Sequence, residues 1–286
     1  MLWLGGLVTA RKKMHLNFME WLLAKEALER DIYDPHPDTS FVSSTHNVRR
    51  LLKKGDPKST YWSKASIVDD LQVVSEYISY RLYRLFGIGV AKEASLVIGD
   101  DGKLRMVMSS VSGQHMQFSQ NWQSQLIGTD FRKGLFVDAF LGHWDVIGTA
   151  PRSNLFIDKD KVSRIDTGGL DFRAMGARKG KLFGDKVSEL GTYAGIGGAT
   201  MPSTAATAYG GIKNNSSELA EAASVFKSVS WSQIESEVKS IEQEIQGLAA
   251  EHGMEKLSQQ SSSYINHVLP ILKSRYQHTL EQIAGL

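Results

Sequence analysis

Residues 143–169 read HWDVIGTAPRSNLFIDKDKVSRIDTGG, and the fold turns on how this stretch is understood. Two short apolar runs, NLFID (154–158) and KVSRI (161–165), flank Lys159-Asp160, the pattern of an antiparallel hairpin. A tight hairpin brings the outer ends of its two strands together. Asn154 opens the first strand and Asp166 follows the second, so both side chains arrive at that open end. An amide oxygen and a carboxylate are hard donors, the kind magnesium takes alongside phosphate oxygens. Asp145 lies one loop earlier, placed to orient or deprotonate an attacking hydroxyl. Taken singly, Asp, Asn and Gly are ordinary hairpin and cap residues. Their order is what points to a site, and Gly168-Gly169 lets the backbone swing away after it.

On the N-terminal side, residues 68–86 (VDDLQVVSEYISYRLYRLF) carry Leu71, Val74, Ile78, Leu82 and Leu85 at helical spacing. Asp69 and Asp70 suit the positive end of that helix, and Gly87 stops it. Glu76 sits beside the apolar stripe and therefore needs a partner. Lys64, in the strand-like YWSKAS, is the candidate. Residues 94–98 and 103–109, joined by GDDG, predict a second hairpin. Short strands are expected at 41–45 (FVSST) and 59–65 (STYWSKA), with RRLLKKGDPK as a basic connection between them. The stretch FVSSTHNV offers Ser43, Ser44, Thr45 and His46 to a phosphate group; His46 reads equally as a turn residue. Residues 14–30 have the spacing of an amphipathic helix.

On the C-terminal side, GLFVDAFLG (134–142) predicts a buried helix. Residues 190–216, rich in Gly, Ala, Ser and Thr, read as a loop. Helices follow to the end, with caps and breaks near Ser230, Gly253 and Pro270. His143 either orients the Asp145 loop, touches phosphate or serves the core. Arg173, Arg178, Lys179 and Lys181 read either as a grip on a phosphorylated or acidic substrate or as a solvated basic loop.

The bulk composition sets limits. The chain has 286 residues, 42% hydrophobic, enough for one large domain or two lobes. A formal charge of +2 gives no global field to gather nucleic acid. The absence of cysteine excludes disulfides, thiolate zinc sites and cysteine nucleophiles. The histidines lack zinc-hydrolase spacing, and no G-x-S-x-G elbow occurs. No apolar run reaches the roughly 20 residues of a membrane span. The N-terminal MLWLGGLVTARKK reverses the order of a secretory signal.

Several stretches together resemble a known family: SEYISYRLYRLFGI, FVDAFLGHWDVIG, SNLFID, RIDTGGLDFRAMG and GKLFGDKVSEL, with ASVFKSVSWSQIESEV and ILKSRY behind them. They look like the kinase-like domain of phage head-associated and bacterial effector proteins, distantly akin to the phosphatidylinositol 3/4-kinase and HipA folds. The likeness spans roughly three quarters of the chain, and WDVIG and RIDTGGLDFRAMG are its more specific pieces. It implies an α+β, two-lobed protein-kinase-like fold with a strand-rich N-lobe and a mainly helical C-lobe. The expected division is a helical extension over 1–34, an N-lobe over 35–112 and a C-lobe over 113–286. The resemblance maps Lys64 and Glu76 to the lysine–glutamate pair, Asp145 to the catalytic aspartate, and Asn154 and Asp166 to the metal ligands. It implies ATP and magnesium as cofactors and a protein or small phosphorylated molecule as acceptor. The expected setting is a bacterial cytoplasm, or a host cell after secretion, with a partner or host protein in play.

Two departures keep other readings open. No G-x-G-x-x-G loop is present, and nine residues rather than five separate Asp145 from Asn154, through the insert TAPRS. A pseudokinase scaffold acting through a partner, or a transferase of AMP or another group, fits the same residues.

Overall fold

The computed structural model describes residues 29–35, 46–168, 170–172 and 177–286. The amphipathic segment over 14–30 falls outside these except at its end, where α1 (Glu29–Ile32) leads into β1 (Tyr33–Pro35). The strand expected at 41–45 also lies outside the described residues.

The chain is α+β, strand-rich first and mainly helical afterwards. The first region is an antiparallel sheet of β1, β2 (His46–Lys53), β3 (Asp56–Ser66), β4 (Ala94–Ile98) and β5 (Leu104–Ser109), in the order β1-β2-β3-β5-β4. The expected basic connection is therefore wrong: RRLLKK is most of a strand. Leu51 from β2 is buried with Tyr33, Tyr61, Val97 and Val107 on the outer face of the sheet, the face opposite Lys64. The turn to β3 passes through Gly55 at φ 78°, a conformation open to glycine.

Helix α2 (Asp70–Leu85) crosses the other face of this sheet. Its cap is Asp69, whose carboxylate accepts the Leu71 N–H at 2.9 Å. Val74, Ile78 and Leu82 are wholly buried. They are covered because α7 (Trp231–Glu251) and α8 (Glu255–Ala284), the longest helices among the described residues, also pack against α2.

The second region holds α3 (Leu135–Phe140) and a small sheet of β6 (Gln114–Gln117), β7 (Gly148–Thr149), β8 (Arg152–Asp158) and β9 (Lys161–Arg164). The hairpin β8–β9 has the expected register, with Asp158 opposite Lys161 and Leu155 opposite Arg164. The expected loop at 190–216 is instead partly helical, with α4 (Glu189–Ala194) and α5 (Thr204–Tyr209) before α6 (Ser216–Lys227). Ser203 caps α5 by accepting the Ala206 N–H at 2.9 Å, and the small side chains that suggested a loop let the helix bury Ala205 and Ala208. Ser230 caps α7 with a complete capping box, as expected from its position. Pro270 does not break the last helix. It sits on the exposed side, where the carbonyl it leaves unbonded can turn to water.

One apolar core runs from α2 through α3 to α8. Arg275 of α8 is wholly buried within it, donating to the carbonyls of Phe140 (2.8 Å), Ala139 (2.7 Å), Gly184 and Lys186 (both 3.1 Å) and to Glu189 Oε2 at 2.9 Å. Replacing it strands a buried carboxylate and four carbonyls. Arg275→Leu is expected to lower unfolding free energy by roughly 3–5 kcal/mol in urea denaturation, the range for breaking one side of a buried ion pair. The exposed Lys239–Glu235 pair of α7 supplies the control, since Lys239→Ala should cost under about 1 kcal/mol.

Candidate active site around Lys64

Lys64 sits on β3 opposite Met106, a core residue beneath α2, so its side chain enters the space between sheet and helix. There its Nζ donates to Glu76 Oε1 of α2 at 2.8 Å and to Asp166 Oδ1 at 3.1 Å. Lys64 and Glu76 are both buried, while the Asp166 side chain is 37% exposed. Burial alone pulls an ammonium pKa down. Here Asp166 and then Glu76 outweigh it and hold Lys64 above the ordinary range. Burial pushes Glu76 up to about 7; Lys64 opposes this and the Asp166 charge adds to it. The pairing expected between Lys64 and Glu76 is thus present, and Asp166 joins it from 102 residues along the chain.

The hairpin delivers Asp166 as its open end predicts. The Ile165 N–H donates to the Asn154 carbonyl at 3.0 Å, which sets Asn154 beside the start of the Asp166 segment. Past the strand, the Gly168 N–H donates to Asp166 Oδ1 at 3.3 Å, and Thr167 Oγ1 donates to the Glu76 carbonyl at 3.3 Å. The segment is therefore tied to α2 by backbone as well as by charge.

Asn154 Nδ2 donates to the Asp145 carbonyl at 2.6 Å. This bond sets the Asn154 amide, whose Oδ1 is a hard donor of the kind a cation takes. The Asp145 carboxyl is reached by solvent, yet crowding on its other sides raises its pKa, and the nearby Asp166 charge raises it further. Asn154 thus bonds the Asp145 segment, and the charge of Asp166 is felt at Asp145.

Among the described residues no group of three or more His, Asp or Glu forms a metal cluster. The available donors are one carboxylate and one amide oxygen. Such a pair fits magnesium, which fills its remaining positions with water and phosphate oxygens. Of the expected phosphate loop, Ser43, Ser44 and Thr45 lie outside the described residues. His46 opens β2 opposite Ser66, two residues along β3 from Lys64.

Arg178 and Lys179 are engaged within the protein. Arg178 pairs with Asp171 and stacks over Phe172, while Lys179 is buried and donates to the Gly142 carbonyl at 2.5 Å. Arg173 lies outside the described residues, and Lys181 is exposed.

A second polar cluster beneath the site was not anticipated. Asp138, wholly buried in α3, accepts from Arg164 through Nε (2.8 Å) and Nη2 (2.6 Å), from Tyr83 Oη (2.7 Å) and from Tyr209 Oη. Tyr83 Oη also meets His143 Nδ1 at 2.8 Å. An acidic residue inside the apolar run FVDAFL was the available signal.

A comparison with protein-family models finds none that matches the chain, and a comparison with curated proteins finds no match either.

Burial pulls the His143 pKa down to about 4, against the opposing charges of Asp138 and Asp166. The unfolded imidazole takes a proton near pH 6.5, whereas the folded one stays neutral until about 4. Its contribution to stability is therefore complete above pH 6.5 and lost as pH falls towards 4. Urea denaturation across that window should show wild type losing more stability than His143→Asn; parallel pH curves would refute the depressed pKa.

Proposed function

We propose that the chain is a two-lobed, protein-kinase-like phosphotransferase. It binds ATP with magnesium between its sheet and its helical part, and passes the γ-phosphoryl group to a hydroxyl of a protein or small phosphorylated acceptor. The observation that carries this reading is the Lys64 ammonium, held at once by Glu76 at 2.8 Å and Asp166 at 3.1 Å. A strand lysine fixed by a helix glutamate, beside an aspartate that can hold magnesium, is the arrangement of kinase active sites.

In this reading Lys64 contacts the α- and β-phosphates, and Glu76 fixes its position. Asn154 and Asp166 would hold magnesium, which when bound would supply positive charge at the phosphate oxygens. Asp145 accepts a hydrogen bond from the acceptor hydroxyl and takes its proton. The hydroxyl oxygen forms the new bond to the γ-phosphorus, the bond to the β-bridging oxygen breaks, and ADP leaves with that electron pair. Since Asp145 is solvent-accessible, an acceptor can reach it directly.

Thermal denaturation with and without ATP and magnesium tests the binding step. Ligand at one hundred times its dissociation constant should add about 2.7 kcal/mol of stability. Asp166→Ala should abolish the magnesium-dependent part of that gain. Asp145→Ala should keep the gain and lose turnover by about 10²–10⁴-fold, the usual worth of a general base. No stabilisation of wild type would favour a scaffold. Transfer of label from α- rather than γ-labelled ATP would indicate adenylyl transfer.

A further inference from the structure

Tyr83 lies two helical turns beyond Glu76 on α2, seven residues on and hence on nearly the same face. Glu76 reaches Lys64; Tyr83 reaches the buried cluster that underlies both Asp145 and Asp166. Its hydroxyl lies 2.7 Å from Asp138 Oδ1 and 2.8 Å from His143 Nδ1. His143 precedes Asp145 by two residues, and Arg164 precedes Asp166 by two. Both flanking residues converge on Asp138 or its tyrosine partner, and all four side chains are buried.

Hydrogen counting fixes the direction of the chain of bonds. Asp138 faces the guanidinium of Arg164 through two bonds and acts as an acceptor. Tyr83 has one proton, which it donates to Asp138. The bond between Tyr83 and His143 must then be donated by His143 Nδ1–H. A single hydroxyl therefore relays a charged anchor to the residue that leads into the Asp145 turn. The site leaves no space for a looser arrangement. A Cβ on Gly134 would stand 2.2 Å from Arg164 Nη2, and the Tyr193 hydroxyl donates to the His143 carbonyl at 2.8 Å.

We infer that Tyr83 is a positioning residue for the proposed phosphoryl transfer: through His143 its hydroxyl locks the Asp145 turn to the helix that carries Glu76, so that base and phosphate-binding lysine hold one fixed relation. This rests on the functional reading above and adds a residue that does not touch substrate. ATP binding does not depend on the same bond. Glu76 is held independently, because Thr167 bonds its carbonyl and Arg81 ties α2 to Glu237 of α7 at 2.5 Å. Asp138 likewise retains Arg164 and Tyr209 when the Tyr83 hydroxyl is removed. The expected signature is a loss of turnover with unchanged nucleotide affinity.

The test uses the full chain with γ-labelled ATP and magnesium, following label passed to the chain itself or to water. Tyr83→Phe should fall at least tenfold in turnover, with MgATP affinity within twofold of wild type. His143→Ala should fall similarly, and the double variant should be no worse than the weaker single variant, since both remove one interaction. His143→Asn, whose amide N–H stands near the Nδ1–H position, should recover most of the turnover. Wild-type turnover in Tyr83→Phe, equal losses of turnover and affinity, or multiplicative losses in the double variant would each overturn the inference. Amide exchange reads the anchor without any activity: Tyr83→Phe should speed exchange at residues 143–148 and leave 70–80 unchanged. Unaltered exchange at 143–148 would also overturn it. If wild type fails to bind MgATP while that exchange response appears, the kinase reading falls and the anchor stands.

Discussion

The Lys64 ammonium is the interaction on which the rest of the molecule depends. Removing a charge from water costs several kcal/mol unless partners replace the lost hydration. Here one partner comes from the helix that crosses the sheet, and the other from the far end of a hairpin in the second region. No local piece of chain can assemble this triad, so the two regions must meet before it forms. A buried ion pair is also weak support for stability as such, because a well-packed apolar substitute is often at least as stable. Its presence between a half-exposed aspartate and the crossing helix is better explained by a task at the surface than by the needs of the core.

Asp166 is constrained on each side. Lys64 bonds its carboxylate, Thr167 ties the next residue to α2, and Arg164 anchors the preceding strand to Asp138. Asp145 is constrained more lightly, through Asn154 and through His143. The difference follows the roles assigned to them. A residue that shares a cation must hold its place in the resting protein. A residue that receives a proton needs an open side, and Asp145 has one.

Much of this was legible because the decisive signals were local. The Lys159-Asp160 turn between two apolar runs fixed the register that brings Asn154 to Asp166. The spacing of Leu71, Val74, Ile78 and Leu82 placed α2, and Glu76 beside that stripe demanded a cation. Other features are invisible at short range. β2 was hidden because basic residues come in runs there, Arg49-Arg50 and Lys53-Lys54, around a leucine pair of which only Leu51 is buried. α5 was hidden because small residues serve equally in loops and in tightly packed helices. Pro270 misled because a helix tolerates proline where its freed carbonyl meets water. The Asp138 cluster depends on residues from α2, α3, β9 and α5 meeting in space, and nothing in a linear sequence says which polar side chains go inside.

The two carboxylates of the site also act on each other. Burial lifts the pKa of Asp145, and the negative charge of Asp166 lifts it further. In the proposed reading, a cation held by Asn154 and Asp166 would cancel part of that second effect and lower the Asp145 pKa. The proposed base would thereby be favoured in its ionised, proton-accepting form when the cation binds. Proton affinity at one carboxylate and cation affinity at the other would then be linked. The charge of Asp166 is felt at Asp145, so the two carboxylates are electrostatically coupled.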